Sequence, residues 1–227
     1  MTVQAQIVVV VPVLNEAAAV AGTLAQAKIL GEQGATVVFV DGGSADATFK
    51  MLREAGAQVV GSEPGRALQM NAGARQQPCE TLLFLHADTR LPESALAQIA
   101  QALADGAAWG RFDVRIEGRS RWLPVVAFMM NMRSRFTGIA TGDQAIFMTR
   151  AAFDAVGGFP QQALMEDIDM SRKLKKLSRP ACLRSKVTTS GRRWDTRGAW
   201  PTIVLMWKLR WAYWRGASPG DIARAYR

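Results

Sequence analysis

The chain has 227 residues, 49% of them hydrophobic, with a formal net charge of +9. That is enough to bury one substantial core, so a single domain with a tail is expected. The apolar runs, such as Ile7 to Leu14 and Trp122 to Met130, fall short of the roughly 18–20 residues a bilayer-spanning helix needs, which argues against a span.

In chain order, residues 6–11 form a β-branched run ending at Pro12, and 16–30 then follow with helical apolar spacing up to Gly31 and Gly34. Val37 to Val40 predict a second strand that stops at Asp41-Gly-Gly-Ser44, and 46–55 a helix closed by Gly56. Ala57 to Val60 give a third strand, 66–76 a third helix, and Thr81 to Leu85 a fourth strand ending at His86-Ala87-Asp88. Buried-type strands alternating with helices predict a mostly parallel α/β sheet with helices on both faces. Ligands bind beyond the carboxyl ends of such strands, so Asn15, Glu16, Asp41, Ser44, Asp46 and Asp88 are expected around one crevice. Further on, Phe112, Val114 and Ile116 alternate with Arg111, Asp113, Arg115 and Glu117 as in a half-solvated strand, where a mixed sheet region begins. Trp122 to Phe136 fit an apolar helix or a lid, Gln144 to Met148 another strand, and Glu166 to Leu177 a helix whose acidic start suits its dipole.

Enzymes that handle nucleotide diphosphates need an acidic contact for base or ribose, a divalent cation and backbone donors near phosphate. Asp41-Gly-Gly43-Ser44-Ala-Asp46 combines a strand-end carboxylate with glycines that admit close approach and a residue able to cap a helix. On its own it is equally a turn with a cap. No GxGxxG follows the first strand and no GxxxxGK[ST] loop occurs, which excludes the ordinary dinucleotide and P-loop fingerprints. Asp88 is placed to hold a hard cation against a departing pyrophosphate. His86 is the sole histidine. Glu166, Asp167 and Asp169 crowd like charges, which raises the pKa of at least one if they approach, as a general base requires.

Taken together, VVVVPVLNE, VDGGSADAT, GRALQMNAGA, LFLHADT and MEDIDMSRKL resemble, in this order, the family 2 glycosyltransferases of GT-A fold, over roughly residues 5–180. That resemblance implies a Rossmann-like, mixed but mostly parallel sheet, with a nucleotide-binding half at about 1–92 and an acceptor half at 93–190. It implies inverting, non-processive transfer from a UDP- or GDP-linked sugar with Mn²⁺ or Mg²⁺. Pro12, Asn15 and Glu16 would line the base and ribose pocket, and Asp41, Gly43 and Ser44 would meet the nucleotide. Arg66, Asn71, His86 and Ala87 would lie along the same crevice, with Asp88 as metal ligand. Asp167 would be the catalytic base with Glu166 beside it, and Gly142, Asp143 and Trp194 would face the acceptor. Two departures stand out. His86-Ala-Asp88 replaces the usual Asp-x-Asp, and FLHADT is similar to a small bacterial subgroup associated with selenium and radical-enzyme gene neighbourhoods. Ser190-Gly-Arg-Arg-Trp194 replaces the Gln-x-x-Arg-Trp of processive synthases, leaving Arg192 and Arg193 as partners for a diphosphate.

The charge is concentrated in the tail, 191–227. Residues 184–227 hold ten Lys/Arg against Asp195 and Asp221, with five of the seven Trp. On a helical wheel Trp200, Ile203, Val204, Trp207, Trp211 and Trp214 share one face and Leu205, Leu209 and Tyr213 the other. One face therefore packs on the domain while the other meets an anionic membrane surface, over 199–216, or a second copy in a homodimer; full burial of the helix is the third option. Lipid is favoured over nucleic acid, in keeping with a lipid-linked form of the otherwise unidentified acceptor. Cys79 and Cys182 lie far apart without metal-type spacing, and the first residues lack a signal peptide's basic start, so a cytoplasmic protein, peripheral on the inner membrane face, is expected. A sugar nucleotidyltransferase, or a binding module without catalysis, are the rival readings.

Overall fold

The computed structural model describes residues 6–226, apart from the side chains of Arg193, Arg197, Ala199 and Tyr226. The first half runs β1 (Ile7–Val13), α1 (Ala17–Glu32), β2 (Thr36–Asp41), α2 (Thr48–Glu54), β3 (Val59–Gly61), α3 (Arg66–Ala74), β4 (Thr81–Phe84), β5 (Thr89–Arg90) and α4 (Ala95–Ala104). The second half runs β6 (Trp109–Glu117), α5 (Leu123–Thr137), a 3-10 turn (Gly142–Gln144), β7 (Ile146–Thr149), α6 (Arg150–Ala155), α7 (Glu166–Leu174) and β8 (Ala181–Ser190). Three helices close the chain: α8 (Arg192–Arg197), α9 (Ala199–Trp214) and α10 (Pro219–Tyr226).

All eight strands form one sheet, in the order β3-β2-β1-β4-β7-β6-β8-β5. The strands β3, β2, β1 and β4 are mutually parallel, β7 is antiparallel to both β4 and β6, β8 is parallel to β6, and β5 closes the edge antiparallel to β8. The expected mixed, mostly parallel α/β architecture is what forms. Val9, Val11 and Val13 enter one core layer with residues of α1, α4 and α5; Val8 and Val10 enter the other with residues of α3, α6 and α7. Burial on both faces is why β1 reads as an unbroken apolar run instead of an alternating one. A Cβ on Gly73 would stand 2.4 Å from Cγ1 of Val10, so glycine is what lets α3 lie so close against β1.

The sequence pattern does not announce β5, α4, α6 or β8, and β6 departs from the half-solvated strand expected. Arg115 and Glu117 are exposed, but Arg111 and Asp113 are buried because α5 lies across them. Asp113 pairs with Arg111 through one oxygen and with Arg135 of α5 at 2.6 Å through the other. Asn131 of α5 holds both the N–H and the carbonyl of Val114, at 2.8 and 3.0 Å.

The tail helix divides its faces nearly as the wheel predicts. Leu209 of α9 and Ile222 of α10 pack on Met165 and Ile168, while Trp200, Trp207, Trp211 and Trp214 are exposed. Ile203 is the exception, turned inward against the main core. Trp200 meets Trp122, just before α5, edge to face with centroids 5.4 Å apart. Among the described residues no helix is long and apolar enough to cross a membrane, and both cysteines are free.

Asp113→Ala strands the buried Arg111 guanidinium and the half-buried Arg135, and should lower unfolding free energy by about 3–5 kcal/mol, the usual result of removing one partner of a buried pair. Urea unfolding of the variant against the parent chain measures it.

Candidate active site

At the ends of β1 and β2 the chain builds a loop from its own polar side chains. Asn15 takes a left-handed conformation, φ 55°, which asparagine tolerates better than most residues. Its Oδ1 accepts from the N–H of Ala45 at 2.8 Å, and its own N–H donates to Oγ of Ser44 at 2.9 Å. Asp41 is buried and accepts the N–H groups of Gly43 and Ser44, both at 2.9 Å. Asp46 accepts from Thr48, which holds its carboxyl below the usual range, and from the N–H of Ala17 at 3.1 Å at the start of α1. Pro12 and Glu16 are half-buried beside this loop. From α3, the Gln69 amide donates to the carbonyls of Val13 and Val40, both at 2.8 Å, fastening the two strand ends together.

At the end of β4 the chain turns tightly, with Thr89 N–H donating to the His86 carbonyl at 3.0 Å. The Ala87 carbonyl accepts from Thr23 of α1 at 2.7 Å, and Thr89 is tied to Thr189 of β8 at 3.0 Å. Because β7 is antiparallel to β4, the turn that precedes β7 must lie beside the residues that follow β4. Nδ1 of His86 stands 3.3 Å from Oδ1 of Asp143. The fit at Gly142 is so close that a Cβ there would lie 2.3 Å from Nε2 of His86.

Gly142 also donates its N–H to Oδ2 of Asp167 at 2.9 Å, while the N–H of Ile168 holds Oδ1 at 2.7 Å. The chain enters α7 through Met165 in a left-handed conformation, φ 68°. Glu166 beside it is buried, 4.0 Å from Nη1 of the exposed Arg66 at the start of α3. Burial, then the neighbouring Glu166 charge, push the Asp167 carboxyl up to about 6, against the two backbone donors and Arg66. His86, Gly142, Glu166 and Asp167 line a small enclosed cavity with Met70, Phe84, Ile146 and Phe159. The structure therefore brings His86, Gly142, Asp143, Glu166, Asp167 and Arg66 together. Asp88 follows on the same loop as His86. Asp41 and its partners stand across α3, outside that cavity's walls.

The remaining expected residues have partners of their own where they are described. Both ends of the Asn71 amide are taken by Phe159, its N–H₂ donating to the carbonyl at 2.8 Å and its oxygen accepting the N–H at 2.9 Å, so it pins the loop after α6. Arg192 pairs with Glu16 at 3.3 Å, bringing the start of the tail to the β1 loop. Trp194 packs against the main core. The side chain of Arg193 lies outside the described residues. Among the described residues no group of three or more His, Cys, Asp or Glu gathers to hold a metal. Asp88 is half-buried with a long 3.4 Å contact from Thr89. One available carboxylate fits a hard cation held mainly by substrate phosphates and water, the way Mg²⁺ is usually bound. Gln69 was not singled out from the sequence.

The sequence matches the family model described as Glycosyl transferase family 2 over residues 8–157. No curated protein sequence matches. Among solved structures, the fold is similar to the mannosyltransferase PcManGT from Pyrobaculum calidifontis in complex with GDP-Man and Mn²⁺, at 22% identity and TM-score 0.68, covering 93% of this chain and 62% of that one. It is similar to residues 1–349 of S. aureus TarS in complex with UDP, at 18% identity and TM-score 0.63, covering 82% and 60%. It is also similar to glucosyl-3-phosphoglycerate synthase from Mycobacterium tuberculosis in complex with Mn²⁺, UDP and glucosyl-3-phosphoglycerate, at 15% identity and TM-score 0.60, covering 82% and 71%. The chain thus spans less than two thirds of the length of the first two. These likenesses establish the GT-A fold.

The raised Asp167 carboxyl has a signature in stability. Asp167 holds its proton more tightly folded than unfolded, so its favourable contribution is complete below the unfolded value of 3.8 and is lost as pH rises from there through about 6. Asp167→Asn lacks this dependence. Urea midpoints of the two proteins should move apart in the variant's favour between pH 4 and pH 7; a constant gap would mean the carboxyl titrates normally.

Proposed function

The chain is a member of glycosyltransferase family 2, and from that premise we propose that it moves a sugar from a UDP- or GDP-linked donor to an acceptor hydroxyl in one inverting, non-processive displacement. The observation that carries this reading is Asp167, a half-buried carboxylate fixed by the Gly142 N–H beside the His86–Asp143 pair at the end of β4. A carboxyl with pKa near 6 is basic enough to take a proton and is ionised at neutral pH. The acceptor oxygen attacks the anomeric carbon, its proton passes to Asp167, and the bond to the diphosphate breaks with its electron pair leaving on the nucleotide. The Asn15–Ser44 loop and Asp41 hold the base and ribose end of the donor. Glu166, bridged to Arg66, keeps a second negative charge beside Asp167 and so maintains its basicity. Asp88 would hold a divalent cation together with the donor's diphosphate, and when bound that cation neutralises charge on the leaving group. The solved relatives that hold GDP-Man with Mn²⁺, or UDP with Mn²⁺, support this donor class. His86 in place of a first carboxylate suits the small FLHADT subgroup within the family.

The proposal extends to the tail. Residues 191–227 act as an appendage to a catalytic unit of 1–190, with the exposed Trp row of α9 resting on an anionic membrane surface. The contact between Trp122 and Trp200 makes that row continuous with the exposed Val125, Phe128 and Met129 of α5. Aromatic rings flanked by Lys208, Arg210 and Arg215 suit an anionic headgroup layer.

Asp167→Asn should bind UDP or GDP as the parent does and transfer sugar about 10²–10⁴-fold more slowly. In the parent, kcat should rise as pH passes about 6. A donor panel read by nucleotide release, with and without Mn²⁺, identifies the sugar; unchanged turnover in the variant would remove Asp167 as base. For the tail, binding to phosphatidylserine vesicles should weaken with salt and be lost in Trp207→Ser/Trp211→Ser, which leaves the Leu209 packing untouched. Equal vesicle binding by that double variant, or none by the parent at low salt, rejects membrane docking.

A further inference from the structure

One cation on α5 is left over from the network described above. Asp113 already serves Arg111 and Arg135. Arg133 sits between Asn131, which clamps β6, and Arg135, which reaches Asp113. Its Nε and Nη2 are buried and have no hydrogen-bond partner among the described residues. Burial pushes its pKa down, and the charges that act on it are those of Asp167 and Asp143, which favour the cation, and Arg111, which opposes it. The guanidinium is therefore within electrostatic reach of the carboxylate assigned as base and of the 142–144 turn. It stands on α5, in the half expected to take the acceptor, and none of Asp41, Asp46 and Asp88 is among the charges that act on it. Water can satisfy two desolvated N–H donors, but it cannot compensate the charge. An oxyanion does both, and the guanidinium fork matches its geometry.

Resting on the transferase reading, we infer that Arg133 recognises an anionic acceptor, binding its phosphate or similar oxyanion through Nε and Nη2 while the acceptor's hydroxyl addresses Asp167.

The full chain is first loaded with UDP and Mn²⁺, which occupies the donor site, and is then titrated calorimetrically with glycerol 1-phosphate, inorganic phosphate and glycerol. Both phosphates should bind saturably and glycerol should not. Arg133→Met should weaken phosphate binding at least tenfold while UDP affinity stays the same. Arg133→Lys, which keeps the charge but loses the fork, should fall between the two and covers the case in which the methionine variant does not fold. Equal phosphate binding by parent and variants, or none by the UDP-loaded parent, overturns the assignment. Failure of the parent to bind UDP or GDP in the loading step sinks the transferase reading itself, before any phosphate is added.

Discussion

The position of β7 is the constraint on which the site depends. Its antiparallel register against β4, Thr81 opposite Thr149 and Phe84 opposite Ile146, sends the residues before β7 past the end of β4. The 142–144 turn must then meet the 86–88 loop. A slip of one residue would turn every side chain of β7 to the opposite face. It would move Phe147 out of one core layer and into the other, and carry Gly142 away from the Asp167 carboxylate. The parallel half of the sheet and the mixed half are thus joined through one short strand of four residues.

Around that junction, opposing effects decide the state of Asp167. The helix dipole of α7, two backbone donors and Arg66 favour its charge. Desolvation and the adjacent Glu166 oppose it and prevail, leaving a carboxyl that is basic without being permanently protonated at neutral pH. The packing of Leu209 and Ile222 on Met165 and Ile168 covers the same helix start, so the tail contributes to the desolvation its own position appears remote from in sequence.

Much of this was legible in the residues. The four parallel strands announced themselves because each is buried on both faces and ends at a polar cluster. Asp41, Asp46 and the Glu166–Asp167 pair were found because short acidic residues at strand or helix ends have few other uses. The strand β8 was missed: its partners β6 and β5 are remote in sequence, and exposed Arg184 and Lys186 interrupt its apolar content. Asn71 was read as a nucleotide contact, yet its amide is consumed by the backbone of Phe159, eighty-eight positions away. The burial of Arg111 and Asp113 was equally invisible, since alternation along β6 reports which side chains share a face and nothing about what α5 lays over that face.

The described chain holds three non-glycine residues at positive φ, Asn15, Ala145 and Met165: one opens the loop between β1 and α1, one enters β7, one enters α7. For Ala145 and Met165 the conformation costs on the order of 1–2 kcal/mol each. Glycine at either position would relieve that strain but free the hinge on which Gly142 or Asp167 is hung. Selection for thermal robustness and selection for turnover therefore pull these positions in opposite directions, and a laboratory search for hardier variants would accumulate its most damaging gains there.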